Sequence, residues 1–575
     1  MSHAASLPAS GLAESALARH VAAPRRAAVL LLLACLALFL PGFATMPPMD
    51  RDEPRFAQAT KQMLESGDFV DIRFQGEARH KKPVGIYWLQ AAAVSAGEAL
   101  GVPAARTTIW LYRLPSLIAA IAAVLLVWWC GLAMLTPAGA FVAALLFAST
   151  ILLGVEARLA KTDATVTATA AAAMGALLRV RLGLATGRAR LSLPAIFWTA
   201  IAVGILVKGP ITPMIPAFAA AALSIRDRSA RWLLALRPVA GLAWTALIVA
   251  PWLALILIKT KGSFLADSVG ADMLGKVAQG QESHGAPPGT YLVAFWGTAW
   301  PLAPFAALAA PFVWRARREP EVAFLIAWLV PAWLLFEATP TKLPHYVLPL
   351  YPALALAVAL AMQRGAMAAG GRARAALALL VVVPAGLTAA AIGAGAHFGT
   401  LAQWIGVAPA LLAGVAILMA VAAFLAAGRR DFMRASVSAA ASALALYLLA
   451  YGALISGPFF EPFRLSPRLA REARLAAADL RDCPDGLKLA TTTYREPSLV
   501  FLTATDLTMT DAAGAARFLA GGRCRAAFVE ARREEEFRAA LAPKSPDFVV
   551  ELATRVGGLN LNGGWRLDIG VYLRK

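Results

Sequence analysis

Residues 112–135 read YRLPSLIAAIAAVLLVWWCGLAML, and Arg113 is the one charged residue among them. A helix needs about 20 mostly apolar residues to cross the hydrocarbon core of a bilayer. The stretch therefore predicts a membrane-spanning helix, and similar stretches recur along most of the chain.

The composition of the whole chain agrees with this stretch. Of 575 residues, 59% are apolar and 15% are charged, and the mean hydropathy is +0.65. A soluble domain has roughly 45–50% apolar and 25% charged residues. The composition excludes a large water-soluble enzyme, a disordered chain, a collagen and a disulfide scaffold, and it predicts a polytopic α-helical membrane protein.

Thirteen segments are apolar enough to predict spans. They are 27–43, 112–135, 138–155, 164–180, 191–207, 209–225, 238–258, 290–313, 321–338, 345–363, 375–396, 404–427 and 436–457.

The positive charge of the chain is a topology signal. A net charge of +20 is compatible with a nucleic-acid partner. However, the arginines collect before the first predicted span and in the loops after spans four, six, eight, ten and twelve, whereas short loops on the other side have almost none. This positive-inside pattern predicts a multi-pass bacterial inner-membrane protein with a cytoplasmic N-terminus, an outer (periplasmic) C-terminal segment and no nucleic-acid partner.

The predicted outer segments carry most of the remaining polar residues. The first outer loop, 44–111, is expected to hold two helices at the membrane interface. The second, 259–289, contains Lys276, Glu282 and His284 and resembles a lid or binding loop.

The C-terminal segment, 460–575, alternates helical and strand-like runs, which predicts a small periplasmic α/β domain after a membrane domain spanning 1–459. Cys483 and Cys524 lie in this segment, where an oxidising compartment would permit a disulfide.

Acids and bases in these outer segments have more than one interpretation. Carboxylates at an interface suit general-base or electrostatic work, and lysines and arginines there suit a lipid phosphate. Asp163 could equally be a helix N-cap, and Lys81 and Lys82 could be generic headgroup contacts. On the residues alone, an enzyme acting on a lipid phosphate and a transporter or lipid flippase both stay open.

Several motifs, in order along the chain, add a family resemblance. They are Asp52-Glu53-Pro-Arg55-Phe56, Ser66-Gly67-Asp68-Phe69, Lys81-Lys82-Pro83 with Tyr87-Trp88, Lys161-Thr162-Asp163, Lys208-Gly209-Pro210, and Lys342-Leu343-Pro344-His345-Tyr346 with Leu348-Pro349. In these motifs the chain resembles the GT-C glycosyltransferases of family 39 and 83 type, which include protein O-mannosyltransferases and the bacterial transferase that adds aminoarabinose to lipid A.

The resemblance implies an inverting glycosyltransferase with a polyprenyl-phosphate sugar donor. The acceptor would be a lipid, a glycan or a protein at the periplasmic face. Asp52 would be the base, and Asp163 would position the acceptor or support the first site. Lys82 would hold the lipid phosphate, aided by Arg55 and Lys342, and Tyr346 would contact the donor. Glu53, Lys81, Lys276 and His284 complete the expected substrate-binding set.

One position departs from the aminoarabinose branch. That branch has a Glu before the Lys-Pro pair, and this Glu can ligate a metal together with a loop His, whereas here the residue is Lys81. The departure favours an enzyme without a cofactor or metal. In the alternative, a metal is present and Glu282 and His284 supply its ligands. The departure also argues against aminoarabinose itself as the sugar. For His284 we hypothesise contact with the donor within the 259–289 lid.

Overall fold

The structure is a computed structural model that describes residues 16–49, 52–268, 270, 285–404, 406–479, 483, 486–541 and 549–574. It contains two compact units. The helical unit comprises Met1–Phe43, His80–Ile86 and Arg113–Ala453, and the α/β unit comprises Ala44–Arg79, Tyr87–Tyr112 and Leu454–Lys575. Most of the first outer loop therefore belongs to the same unit as the C-terminal segment, a grouping that the sequence did not predict.

Helices form nearly all of the helical unit. The α-helices are Ala16–Val21, Pro24–Phe39, Ile109–Gly131 (which begins in the α/β unit), Pro137–Ala148, Ile151–Glu156, Asp163–Arg181, Ala189–Lys208, Ile211–Arg226, Pro238–Lys259, Ser263–Leu265, Thr290–Thr298, Leu302–Arg315, Pro320–Ala338, Tyr351–Gln363, Gly371–Phe398, Leu401–Trp404, Val407–Gly428 and Phe432–Tyr447. Arg231–Leu236 and Pro344–Leu350 are 3-10 helices, and Leu448–Ile455 is a π-helix.

The thirteen predicted spans all coincide with helical segments. Eight helical segments within the described residues are long and apolar enough, by length and composition, to cross a membrane. Three shorter apolar helices, Pro137–Ala148, Ile211–Arg226 and Leu302–Arg315, fall within other predicted spans. The pattern of apolar stretches thus identified the helices of this unit.

Two predicted spans, 138–155 and 290–313, were wrong as continuous helices. The first breaks after Ala148, where the hydroxyls of Ser149 and Thr150 donate to the carbonyl oxygens of Leu145 and Phe147. Such side-chain bonds compete with the helical backbone pattern. The second breaks between Thr298 and Leu302, because Pro301 lacks an N–H and restricts the residue before it.

A buried arginine fastens the first helix of the bundle to its interior. The guanidinium of Arg158 donates to the carbonyl oxygens of Leu38, Pro41 and Gly154. It also lies 4.7 Å from the ring centre of Tyr447 and 4.3 Å from that of Tyr451. A buried charge is tolerated when its donors are satisfied, so Arg158 is best understood as a structural residue.

The α/β unit is built on a five-stranded mixed sheet. The strands, from one edge to the other, are Thr508–Met509, Lys488–Thr491, Arg525–Glu530, Arg566–Arg574 and Val550–Leu559; the first three are parallel and the last two are antiparallel to their neighbours. Its helices are Asp52–Ser66, Gly85–Ala99, Leu465–Asp479, Pro497–Leu502, Ala512–Ala520 and Glu534–Ala540, and a hairpin pairs Arg73–Phe74 with Glu77–Ala78. The predicted α/β character is confirmed, and Cys483 and Cys524, whose pairing the sequence left open, form a disulfide.

The helix that begins at Asp52 packs against the C-terminal part of this unit. The ammonium of Lys61 donates to the carbonyl oxygen of Phe501 at 3.2 Å, and the side-chain amide of Gln58 donates to Thr505 Oγ1 at 2.8 Å. These two contacts hold the middle of the helix that begins at Asp52 against Phe501 and Thr505.

Candidate functional site

Five charged or titratable side chains form a buried group in the helical unit, here called the ionic cluster. The cluster consists of Glu156, Lys161, Asp163, Lys208 and His345, and it draws on three separate stretches of the sequence around helix ends. Four of the five are buried and His345 is nearly so. Buried charges are costly unless they are paired, so the pairing within the cluster decides what it can do.

Asp163 and Lys208 form the closest pair. Asp163 is the first residue of the helix Asp163–Arg181, and Lys208 is the last residue of Ala189–Lys208, whose end is closed by Gly209 at φ +66°. The Lys208 ammonium donates to Asp163 Oδ1. A carboxylate at a helix N-terminus and an ammonium at a C-terminus are each favoured by the helix dipole. The expectation that Asp163 is an N-cap was not met, because it lies inside the helix.

Glu156 and Lys161 form the second pair. The Lys161 ammonium lies 3.2 Å from Glu156 Oε1, while Glu156 Oε2 is buried without a hydrogen-bond partner. His345 lies between the pairs, with Nδ1 3.7 Å from Glu156 Oε1 and Nε2 3.8 Å from Asp163 Oδ1. The imidazole therefore faces both carboxylates.

The two acids of the cluster are not equivalent. Burial raises the pKa of Glu156 to about 7, and the like charge of Asp163 acts in the same direction while Lys161 opposes it. The carboxylate of Asp163, in contrast, forms an ion pair with the ammonium of Lys208. Glu156 is thus the carboxyl of the cluster that changes protonation state near neutral pH.

Two predicted substrate-binding residues lie next to the cluster. The ring of Tyr346 is centred 5.2 Å from the Lys208 ammonium and packs edge-on against the His345 ring. Lys82 is close enough to His345 to act on it electrostatically, and its ammonium donates to the carbonyl oxygen of Lys81 at 2.9 Å. The Lys161, Lys208 and Tyr346 motifs, which lie far apart in sequence, therefore meet in one place.

Lys342 has a different environment. Its buried ammonium donates to the carbonyl oxygens of Glu337 at 2.9 Å and Thr339 at 2.6 Å, and it lies 5.9 Å from the ring centre of Tyr291. A lysine has three donors, so these two bonds leave capacity for one more acceptor. Lys81 is exposed.

The first acidic motif belongs to the α/β unit. Asp52 begins its helix with a side chain 41% exposed and one oxygen 3.8 Å from Arg55 Nη1. Glu53 is fully buried and accepts a hydrogen bond from the Met49 N–H at 2.6 Å. The adjacent acids thus differ: Asp52 faces outward, whereas Glu53 holds the chain that precedes the helix.

Lys276, Glu282 and His284 lie outside the described residues, so their predicted roles stay predictions. The same holds for the lid hypothesis for the central part of 259–289. What the structure describes of this loop includes Asp267, whose Oδ2 lies 3.0 Å from the buried His80 Nδ1.

The ionic cluster brings together three side chains of the kind that ligate metals. Donor atoms of Glu156, Asp163 and His345 lie within 4.8 Å of one another, as ligands of one ion would. However, the ammonium groups of Lys161 and Lys208 already pair with the two carboxylates, and a divalent cation would have to displace both. The metal site of the aminoarabinose branch also lacks its acid, because Lys81 stands there. The ionic cluster therefore does not fit a metal, and the alternative ligands Glu282 and His284 lie outside the described residues.

Sequence reasoning assigned no role to Glu156 or His345. Glu156 precedes Asp163 by seven residues, and His345 directly precedes Tyr346 in a motif already recognised. Both residues are titratable and lie inside or beside a motif at the end of a predicted span, and this could have marked them as candidates. The sequence does not show which helix ends lie next to each other, and only the fold shows that.

Comparisons with known proteins agree with the resemblance. A family profile described as dolichyl-phosphate-mannose-protein mannosyltransferase matches residues 81–255. An undecaprenyl phosphate-alpha-4-amino-4-deoxy-L-arabinose arabinosyl transferase 2 of Pseudomonas fluorescens is 28% identical over 308 residues, 53% of this chain and 54% of that protein. The corresponding transferase of Erwinia tasmaniensis is 28% identical over 322 residues, 54% of each chain. This chain thus spans about half the length of the curated relatives it matches.

A solved structure covers nearly the whole chain. The crystal structure of ArnT from Cupriavidus metallidurans bound to undecaprenyl phosphate superposes with a TM-score of 0.72 at 18% identity, over 94% of this chain and 97% of that one. The resemblance to GT-C proteins of the ArnT and protein-mannosyltransferase type is therefore confirmed, and the fold is that of a GT-C polytopic membrane protein.

Proposed function

We propose that the chain is an inverting glycosyltransferase of the bacterial inner membrane that uses an undecaprenyl-phosphate-linked sugar. The observation that carries the proposal is the meeting of the Lys161–Asp163, Lys208–Pro210 and Lys342–Tyr346 motifs around one buried cluster. The names of the curated relatives support the donor class, since those proteins are arabinosyl transferases acting on undecaprenyl phosphate derivatives.

The proposed reaction is a single displacement at the anomeric carbon. The acceptor oxygen forms a bond to that carbon as the bond to the phosphate oxygen breaks, and the electron pair leaves with the phosphate. Asp52 receives the acceptor proton. Its exposed carboxylate, with Arg55 at 3.8 Å, suits a base that meets an incoming hydroxyl.

Basic residues would stabilise the leaving phosphate. Lys82 and Arg55 are proposed to bind it, since charge-assisted donors are the strong partners of phosphate oxygens. Lys342 contributes its remaining donor, and Tyr346 contacts the donor lipid. Asp163 is proposed to position the acceptor while held by Lys208. No step uses a metal.

The proposed orientation follows the arginines. The N-terminus is cytoplasmic, and the cluster and the α/β unit act at the periplasmic face. The proposed acceptor is lipid A, because the family that the chain resembles includes the transferase that adds aminoarabinose to lipid A. Another envelope glycan or a protein as acceptor is an outcome of the test. Lys81, in place of the branch's acid, favours a sugar other than aminoarabinose.

The test is a membrane assay with a panel of undecaprenyl-phosphate sugars and purified lipid A. We expect turnover of one donor and a matching mass increase on lipid A. A mass comparison of lipid A from deletion and complemented cells gives the acceptor in vivo. The flippase alternative would be favoured instead if no donor is turned over and the protein moves a lipid between the leaflets of vesicle membranes.

A further inference from the structure

An apolar groove of about 560 Å³ opens on the helical unit between four helices. Its walls come from Ile211–Arg226, Leu302–Arg315, Pro320–Ala338 and Tyr351–Gln363. Apart from Arg226 and Arg317, its lining side chains are apolar, and we call it the arginine groove. Its volume lies in the range of about 300–1,000 Å³ that is usual for sites of single small ligands.

The arginine groove lies at the end of the unit opposite the ionic cluster. The helix Ile211–Arg226 starts three residues after Lys208 and ends on Arg226, and 16 residues of helix span about 24 Å. The segment Pro344–Gln363 likewise begins beside His345 and runs away from it. The groove is therefore separate from the candidate catalytic site.

The mouth of the groove is rich in positive charge. Arg317 lies over the exposed ring of Trp314, 4.6 Å from its centre, and donates to the carbonyl oxygen of that residue. Arg226 donates to the carbonyl oxygen of Arg318, and its Nε lies 4.0 Å from Asp227 Oδ1. Asp227 is at the same time paired with Arg181.

Among the ion pairs of the described residues, the two arginines of the mouth have one partner, Asp227, and it is shared with Arg181. Of the two acids at the start of the helix Pro320–Ala338, Glu319 pairs with Arg364 and Glu321 lies in the first turn. The hydrogen bonds of both guanidinium groups go to neutral carbonyl oxygens, and the only carboxylate paired with Arg226 is the shared one, so the mouth keeps a net positive charge among the described residues. Such a surface is complementary to an anion.

We propose that the arginine groove binds one anionic phospholipid, with an acyl chain along the groove and the phosphate on Arg226 and Arg317. Basic pockets between membrane helices are known to select anionic headgroups, and a tryptophan at the mouth fits headgroup depth. The lining on Pro320–Ala338 runs from Ala323 to Pro331, about 12 Å of helix. That length suits a chain of one leaflet, whose depth is about 15 Å, half of the hydrocarbon core.

The test uses the full-length protein in detergent and native mass spectrometry. Phosphatidylglycerol and phosphatidylcholine with identical acyl chains are added to the wild type, and we expect preferential retention of phosphatidylglycerol. The double variant Arg226→Gln/Arg317→Gln should lower phosphatidylglycerol retention about tenfold or more, since each basic residue at a membrane surface favours an anionic lipid. The matched control is Arg372→Gln/Arg374→Gln, which removes two exposed arginines outside the groove.

A second variant tests the chain-binding part. Ala310→Trp fills the groove while leaving both arginines, and it should also reduce retention. Equal binding of the two lipids by the wild type would overturn the proposal without any variant. Three further outcomes would also overturn it. The control pair could lose as much phosphatidylglycerol as the double variant, or Ala310→Trp could retain as much as the wild type. The third outcome is displacement of phosphatidylglycerol by added undecaprenyl phosphate. None of these results depends on the transferase activity.

Discussion

The two acidic motifs of this protein occupy opposite environments. Asp163 is buried in the helical unit, with a lysine on its carboxylate and a second lysine and a histidine nearby. Asp52 lies on the α/β unit with a side chain 41% exposed and Arg55 at 3.8 Å. The difference teaches that the carboxylate of Asp163 is held by buried partners and contributes to the fold, while the carboxylate of Asp52 is exposed and contributes little to it. Variants should therefore separate stability from activity.

The largest expected effect on stability comes from breaking the Asp163–Lys208 pair. Lys208→Met leaves a buried carboxylate without its closest cation, which typically costs roughly 3–5 kcal/mol. Unfolding of the purified protein in mild detergent measures the loss. The double variant Asp163→Asn/Lys208→Met should recover part of it, because both charges are then absent. Lys261→Met, at an exposed lysine, is the control, and an equal loss there would refute the role of the pair.

The second effect concerns the disulfide of the α/β unit. Cys483 and Cys524 are 41 residues apart and bonded, and removing a disulfide typically costs about 2–4 kcal/mol. Replacing both by Ser should lower the unfolding temperature of this unit. The control replaces the buried free cysteines Cys35 and Cys130 by Ala. A double Ser variant as stable as the wild type would contradict the prediction.

The third effect is a pH dependence from Glu156. Its pKa is raised from 4.5 to about 7 in the folded state, so the native protein holds a proton that the unfolded chain has released between these values. Stability from this group is fully present below about pH 4.5 and is lost as pH rises through 7. The difference in unfolding temperature between Glu156→Gln and wild type should therefore favour the variant more at pH 8 than at pH 5. The comparison is made by thermal unfolding at both pH values, with exposed Glu77→Gln as the control.

The smallest effect on stability is expected at Asp52. An exposed ion pair contributes about 0–1 kcal/mol, so Asp52→Asn should leave the unfolding temperature almost unchanged. The same unfolding assay measures it. A large destabilisation would show that Asp52, like Asp163, belongs to the structure, and the contrast between the two acids would fail.

The sequence predicted the helices better than their meeting points. Apolar length located the helices that underlie the thirteen predicted spans, because lipid requires long apolar stretches, whereas the breaks at Ser149–Thr150 and at Pro301 depend on local hydrogen bonding. Family motifs identified Asp163, Lys208 and Tyr346 as candidates. They could not reveal Glu156 and His345 as their neighbours, nor that Lys61 joins the Asp52 helix to Phe501, because those contacts link distant parts of the chain.

The most direct test of the central claim compares transfer by Asp52→Asn and wild type, with each rate divided by the amount of folded protein. Loss of a general base typically lowers the rate by about 100-fold or more. We predict at least that loss for Asp52→Asn with an unchanged unfolding temperature, and no loss for Glu77→Gln on the same unit. Transfer by Asp52→Asn at the wild-type rate would contradict the assignment of Asp52 as the base.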